Sequence, residues 1–236
     1  EPLVPEDYVV QSMDDVSPTK WHLAHTSWFW ETFVLVPHAR NYALFHPEYP
    51  YLFNSYYVQA GERHCRAQRG YISRPTVAEV FAYRRHVDEA MIALLEDADE
   101  ATRVNVEPLL DIGLNHEQQH QELLLTDIKH VLSVNPLRPV FAGGRRDAAA
   151  ADVGAAGWVD IDGGVYPVGH AGTGFAYDNE GPRHDVLLQA FQLQDRLVTN
   201  GEYRAFMEDG GYRRPELWLS MGWATAQEQQ WTEPFY

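Results

Sequence analysis

The pair most able to do chemistry in this chain is His116 and His120, in the run His116-Glu117-Gln118-Gln119-His120. On a helix, residues four apart stack on one face, with Cβ atoms roughly 5–6 Å apart. Two imidazoles so placed can converge on one cation, with metal–nitrogen bonds of about 2.0–2.1 Å. Leu109, Leu123, Leu124 and Val131 repeat on the same face, so the two histidines point toward a core. Buried imidazoles without partners are costly. A metal is one reason to place two there; a set of ordinary hydrogen bonds is the other.

The same string fits H-E-x-x-H, in which Glu117 would be the general base of a zinc protease. The continuation QELLLTDIKH lacks the downstream histidine of that class. It also contains Glu-x-x-His, an element of di-iron bundles, but no second copy is present. A mononuclear site needs a third ligand from elsewhere. His22 and His25 lie one turn apart on an earlier helix, and spacing does not choose between them. Three neutral imidazoles would leave coordination positions open. That suits Fe(II) with a thiolate and O₂, or Zn(II) with water.

Composition narrows the partners. Of 236 residues, 45% are apolar, enough for one or two packed domains, and the formal net charge is −16. Such acidity argues against nucleic acid and against an anionic membrane surface. No apolar run approaches the ~20 residues that span a bilayer, and no secretory signal pattern opens the chain. The single cysteine, Cys65, permits no internal disulfide, so the expected location is cytoplasmic. The chain opens at Glu1 without Met and stops in an aromatic-rich stretch, which reads as part of a longer protein.

Helices must position the histidines. Ser17-Pro18 reads as a helix start, with Ser17 as N-cap, and the run Trp21 to Val36 is closed by Pro37. Thr76 with Glu79 forms a capping box for a second helix, whose stripe is Val77, Val80, Phe81, Met91, Leu94 and Leu95. A third helix covers roughly Ala101 to Leu132. Between the first two lies a long aromatic loop, 41–74. Residues 142–157 are rich in Gly and Ala and read as a linker. Beyond them, Trp158 to Val168 alternates like strands around Gly163-Gly164, Asp185 to Leu193 reads as a strand, and Val198 to Gly210 as a helix.

The strings SPTKWHLAHTSWFWETFVL, YLFNSYY, SRPTVAEV, HEQQHQELLLTDIKHVL and NPLRP resemble the N-terminal bundle of the ergothioneine-biosynthesis sulfoxide synthases, the EgtB family. YDNEGPRHDV and VTNGEYRAFMEDGGYRRPELWLSMGW resemble the start of the domain that comes after it there. The implied fold is α+β with two domains: a DinB-like four-helix bundle over 1–141, a linker over 142–157, and the start of an FGE-sulfatase-like, C-type-lectin-related mixed domain over 158–236. In that family the second domain is longer and completes the substrate pocket.

The resemblance also implies a function. These enzymes use Fe(II) and O₂ to join a cysteine or γ-glutamylcysteine sulfur to C2 of the hercynine imidazole as a sulfoxide. The family's three-histidine site maps onto His25, His116 and His120, leaving His22 beside it. Tyr56 and Tyr57 match the tandem tyrosines near the iron, where a phenol can act as a proton donor to reduced oxygen. They favour cysteine as the donor. Gln119 matches the residue that hydrogen-bonds hercynine, and Arg66 is expected to pair with the cysteine carboxylate. Two other readings stand beside this one: a zinc-dependent DinB-like thiol transferase or hydrolase, and a non-catalytic binding module.

Overall fold

The computed structural model describes residues 2–55, 57–142 and 153–234. Two compact units emerge: Glu1–Arg145 with Thr173–Tyr177, and Arg146–Gly172 with Asp178–Tyr236. The expected linker falls largely on 143–152, outside the described residues.

The first unit is helical. Its long helices are α1 (Thr19–Trp30), α4 (Val77–Asp97) and α5 (Glu100–Val134), and α1 packs against both of the others. A π turn, Glu31–Leu35, carries α1 into the short α2 (Val36–His38). Pro37 therefore lies within the last turn rather than closing the helix. Among the described residues there are three long helices where four were expected, and the short α3 (Tyr49–Phe53) also packs on α1. It folds from within the aromatic stretch expected as a loop, which also holds 3₁₀ turns at Val58–Ala60 and Arg66–Tyr71.

The caps are partly as expected. Thr76 N–H donates to Glu79 at 2.6 Å, and Glu79 N–H returns the bond to Thr76 Oγ1 at 3.3 Å. Asp99 caps α5 by accepting from Thr102 N–H at 2.9 Å. Ser17 does not cap α1. Its hydroxyl accepts from Arg69 and its N–H donates to Asp127, so the helix begins after Pro18 without a side-chain cap.

The core runs along α1 through Trp28, Phe29, Val34 and Leu35, and meets Val80, Tyr83 and Val87 of α4. The expected α4 stripe shifts accordingly. Phe81 and Leu95 are exposed, and Tyr83 takes the buried place because its hydroxyl has a partner. That partner is Glu31, 0% exposed, which accepts from Tyr83 OH at 2.6 Å, Tyr42 OH at 2.8 Å and Phe45 N–H at 3.0 Å. Three donors offset the desolvation of a buried carboxylate. On α5, Leu123 of the expected face is exposed, while His116 and Val131 are buried.

Glycine sets the distance between α1 and α5. A Cβ at Gly113 would lie 2.1 Å from the Trp30 ring, so no larger residue fits there. Trp30 Nε1–H is fixed in turn by Glu117, at 2.9 Å. This contact sits one turn before His116.

The second unit holds two antiparallel pairs. β1 (Trp158–Ile161) pairs with β4 (Phe191–Gln194), and β2 (Gly164–Val168) with β3 (His184–Leu188). The Gly163-Gly164 step is thus not a hairpin turn. It is the break between β1 and β2, opposite the break between β3 and β4 at Gln189-Ala190. A Cβ on Gly163 would come 3.2 Å from the Ala190 nitrogen, which explains the glycine. The expected strand 185–193 splits at the second of these breaks. Thr199 caps α6 (Asn200–Glu208), and α7 (Ser220–Glu228) comes next, a helix that the sequence pattern does not announce.

Replacing Gly113 by Ala tests the helix spacing. Alanine favours the helix by up to about 1 kcal/mol over glycine, but overpacking costs about 1–3 kcal/mol. With a rigid indole as the neighbour, the clash should win and Tm should fall. A rise in Tm would refute the close packing.

Candidate metal centre

His25 comes from the middle of α1, and His116 and His120 come from successive turns of α5. One ligand atom from each lies within 4.8 Å of the others, the only such group of potential metal ligands among the described residues. His25 is 2% exposed and His116 5%. The ring centroids lie 4.6 Å (His25–His120), 5.0 Å (His25–His116) and 4.5 Å (His116–His120) apart.

α1 builds a rigid seat for His25. Trp21, one turn before, stacks on its ring at 4.6 Å and 12°, and Trp28, one turn after, at 5.3 Å and 16°. Phe53, at the end of α3, accepts the His25 Nδ1–H at its carbonyl. That bond leaves the Nε2 lone pair facing His116, whose Nε2 is 3.2 Å away. Two nitrogens about 2.0–2.1 Å from one ion, at angles of roughly 90° to 109°, lie roughly 2.8–3.4 Å apart. The observed separation therefore fits two ligands of one metal ion. In the metal-free protein, a His116 Nε2–H donating to His25 Nε2 fits the same distance. His116 Nδ1 is buried without a partner among the described residues.

His22 is the alternative third ligand that spacing left open. Both of its nitrogens have partners: Nδ1 faces His120 Nδ1 at 2.9 Å, and Nε2 meets Asp127 at 2.9 Å. Its ligand atoms are not among those that converge, which come from His25, His116 and His120. Glu117 is likewise committed. It accepts from Trp30 and, at 2.6 Å, from Arg84 on α4, so it ties three helices together on the far side of α5. The protease reading of the motif loses its base for that geometric reason.

The other expected residues are spread. Tyr57 is half-buried against Trp28, Phe29 and Phe33, with its ring 6.5 Å from His116. Tyr56 lies outside the described residues. Gln119 is exposed on α5 between the two histidines. Arg66 is exposed and donates to the Asp15 carbonyl. The cation that does reach the centre is Arg69, which sequence reasoning missed. Its guanidinium lies 3.4 Å over the Trp21 ring and donates to Ser17 Oγ at 2.8 Å and Ser55 Oγ at 3.0 Å. Nothing in the spacing Arg66-x-x-Arg69 distinguishes the buried arginine from the exposed one.

The histidines are held neutral, as metal ligands must be. Burial pushes His116 down to about 4. Burial, reinforced by His116, His22 and Arg69, pushes His120 down to about 2. Burial also lowers His25 well below the ordinary range, with His120 and His116 adding to it. A cavity of about 620 Å³ elsewhere in the unit, lined by Tyr42, His86, Leu94 and Asp97, contains none of these residues.

A model of the DinB superfamily matches residues 1–124, just over half of the chain. The chain belongs to the DinB superfamily. A model of the sulfatase-modifying factor enzyme 1-like domain matches 146–235. The chain is 30% identical over 227 residues to a hercynine oxygenase of Mycolicibacterium thermoresistibile, covering 93% of this chain and 47% of that one. It is 28% identical over 218 residues to a hercynine oxygenase of Mycolicibacterium smegmatis, covering 90% and 47%. Over 73 residues it is 37% identical to a formylglycine-generating enzyme of Streptomyces coelicolor, covering 28% and 23%. The chain thus spans about half the length of the hercynine oxygenases it matches. This DinB member pairs a helical unit with a mixed α+β region, and no described helix is long and apolar enough to cross a membrane.

The depressed histidines make a pH prediction. In the unfolded chain an imidazole titrates near 6.5; folded His116 does so only at about 4. Between these values the unfolded chain binds more protons, so metal-free stability is full above about pH 6.5 and falls as pH drops toward 4. Tm of the metal-free protein should decline through that window, and less steeply in His120→Gln. Equal slopes in the two proteins would contradict the assignment.

Proposed function

We propose that this chain carries the metal-binding part of a non-haem Fe(II)-dependent sulfoxide synthase of ergothioneine biosynthesis, an oxidoreductase that couples a thiol to hercynine with O₂. The observation that carries the proposal is the meeting of His25, His116 and His120, with one ring nitrogen of each within 4.8 Å of the others and no carboxylate among them. The hercynine oxygenases that match over nine-tenths of the chain support the same reading. The donor set fits a ferrous ion: three neutral imidazoles leave room for a thiolate and O₂. When bound, Fe(II) would supply thiolate coordination and electron transfer to O₂.

The chain's own residues do the rest. The Trp21 and Trp28 rings and the Phe53 carbonyl hold His25 in one orientation, so the site is preorganised. Phe29, 4.8 Å from the His116 ring, and Tyr57 form an apolar wall beside the ligands. Tyr57, with Tyr56 as its neighbour in sequence, supplies a proton to reduced oxygen. Gln119 offers its amide to the hercynine imidazole. The substrate carboxylate pairs with an arginine. Arg66 is the arginine proposed for that pairing, and Arg69, whose guanidinium lies over the Trp21 ring that stacks on His25, is a second candidate. Cysteine is the preferred thiol, with γ-glutamylcysteine the alternative. The single, exposed Cys65 accords with a cytoplasmic setting.

The test uses the full-length protein, loaded anaerobically with Fe(II) and given hercynine, O₂ and each thiol in turn. Mass spectrometry should find the hercynyl sulfoxide of one thiol. Zinc retention with no O₂ consumption would instead favour a DinB-like thiol transferase or hydrolase. Tyr57→Phe should cut sulfoxide formation by about 10²-fold or more and divert turnover to thiol dioxygenation. Unchanged sulfoxide synthesis in that variant would remove Tyr57 from the proton-donor role.

A further inference from the structure

His22 and Asp127 form a chain of hydrogen bonds that ends on His120. Asp127 Oδ2 accepts from Ser17 N–H at 2.8 Å, which fixes the carboxylate at the start of α1. The same oxygen lies 2.9 Å from His22 Nε2. His22 Nδ1 lies 2.9 Å from His120 Nδ1. The side chains of His22 and Asp127 are 4% and 14% exposed, so water offers little competition.

The direction of these bonds is set by what each group can do. An ionised carboxylate only accepts, so His22 Nε2 carries the proton there. When His22 is neutral, its Nδ1 is bare and accepts rather than donates. The proton between the two histidines therefore belongs to His120 Nδ1. With that proton placed, the lone pair of His120 sits on Nε2. Metal-ligating histidines commonly have their tautomer fixed by a carboxylate or carbonyl at the other nitrogen. Here a second histidine stands between carboxylate and ligand. His25 uses the simpler device, the Phe53 carbonyl.

We propose that His22 and Asp127 are positioning residues that lock His120 in its Nδ1–H form and present its Nε2 to the metal. This rests on the metal-site reading above. Asp127 is seven residues past His120, two turns along α5, and His22 is one turn before His25, so both helices supply a ligand and its support.

Zinc alone serves as the probe, on the full-length protein with ¹⁵N-labelled histidine. Long-range ¹H–¹⁵N correlation spectra identify the protonated nitrogen of each ring. Wild-type His120 should be in the Nδ1–H form with and without zinc. His22→Phe and Asp127→Leu should give mixed His120 tautomers in the metal-free protein and bind zinc about 10–100-fold more weakly. Asp127→Asn keeps an acceptor oxygen and should recover most of the affinity and the single tautomer. Matching circular dichroism and Tm exclude a folding defect as the cause. If His120 stays wholly Nδ1–H and zinc affinity is unchanged in both His22→Phe and Asp127→Leu, the lock is refuted. If His25→Ala and His116→Ala leave zinc affinity intact, the metal-site reading fails instead.

Discussion

Three imidazoles pressed together in a dry interior can coexist only if none is charged. That constraint organises the helical unit. Burial provides the neutrality. Hydrogen bonds at the far nitrogens of His25 and His120 point the near nitrogens inward. His116 is the exception, with its far nitrogen buried and unpartnered among the described residues. Of the three, it is the imidazole with most freedom to change tautomer.

The scaffold around the centre is the consequence of holding α1 and α5 at a fixed distance. Gly113 against Trp30 sets the separation. Glu117, accepting from Trp30 and Arg84, keeps that contact in register and ties in α4. One turn of α5 therefore alternates roles. His116 and His120 face the interior, Glu117 clamps the neighbouring helices, and Gln119 is exposed. Farther along α1, the Glu31 carboxylate gathers Tyr83, Tyr42 and the Phe45 amide into a second polar knot.

The site is legible in the sequence where local geometry carries it. The four-residue spacing of His116 and His120 shows on any helix, and the Thr76–Glu79 cap fixes the helix before it. Spacing does not choose between His22 and His25, because both sit on the same side of α1, one turn apart. Tertiary placement separates them: the ligand atoms of His25 converge with those of His116 and His120, while His22 Nε2 is turned to Asp127. Arg66 and Arg69 pose the same difficulty, since only the fold says which guanidinium lies over the Trp21 ring. Gly163-Gly164 reads as a turn because glycine pairs usually mark turns. It is instead a break between strands opposite Ala190, and a single strand carries no information about which partner crosses it. Periodicity favours Phe81 over Tyr83 because it ranks residues by apolarity alone, and the acceptor for the Tyr83 hydroxyl comes from another helix.

The π turn at Glu31–Leu35 bears on how this helix can change length over evolutionary time. An α-helix advances about 100° per residue, and a π turn holds one residue more than the α-helical path requires. The residues before it, which carry the tryptophan–histidine stack, and those after it, which lead into α2, therefore keep independent rotational phases. A single-residue deletion inside the turn would restore α geometry and leave the segments on either side close to their present phases. The same deletion between Trp21 and Trp28 would rotate His25 off its stack. Along this helix, a one-residue change in length is absorbed most easily at the π turn.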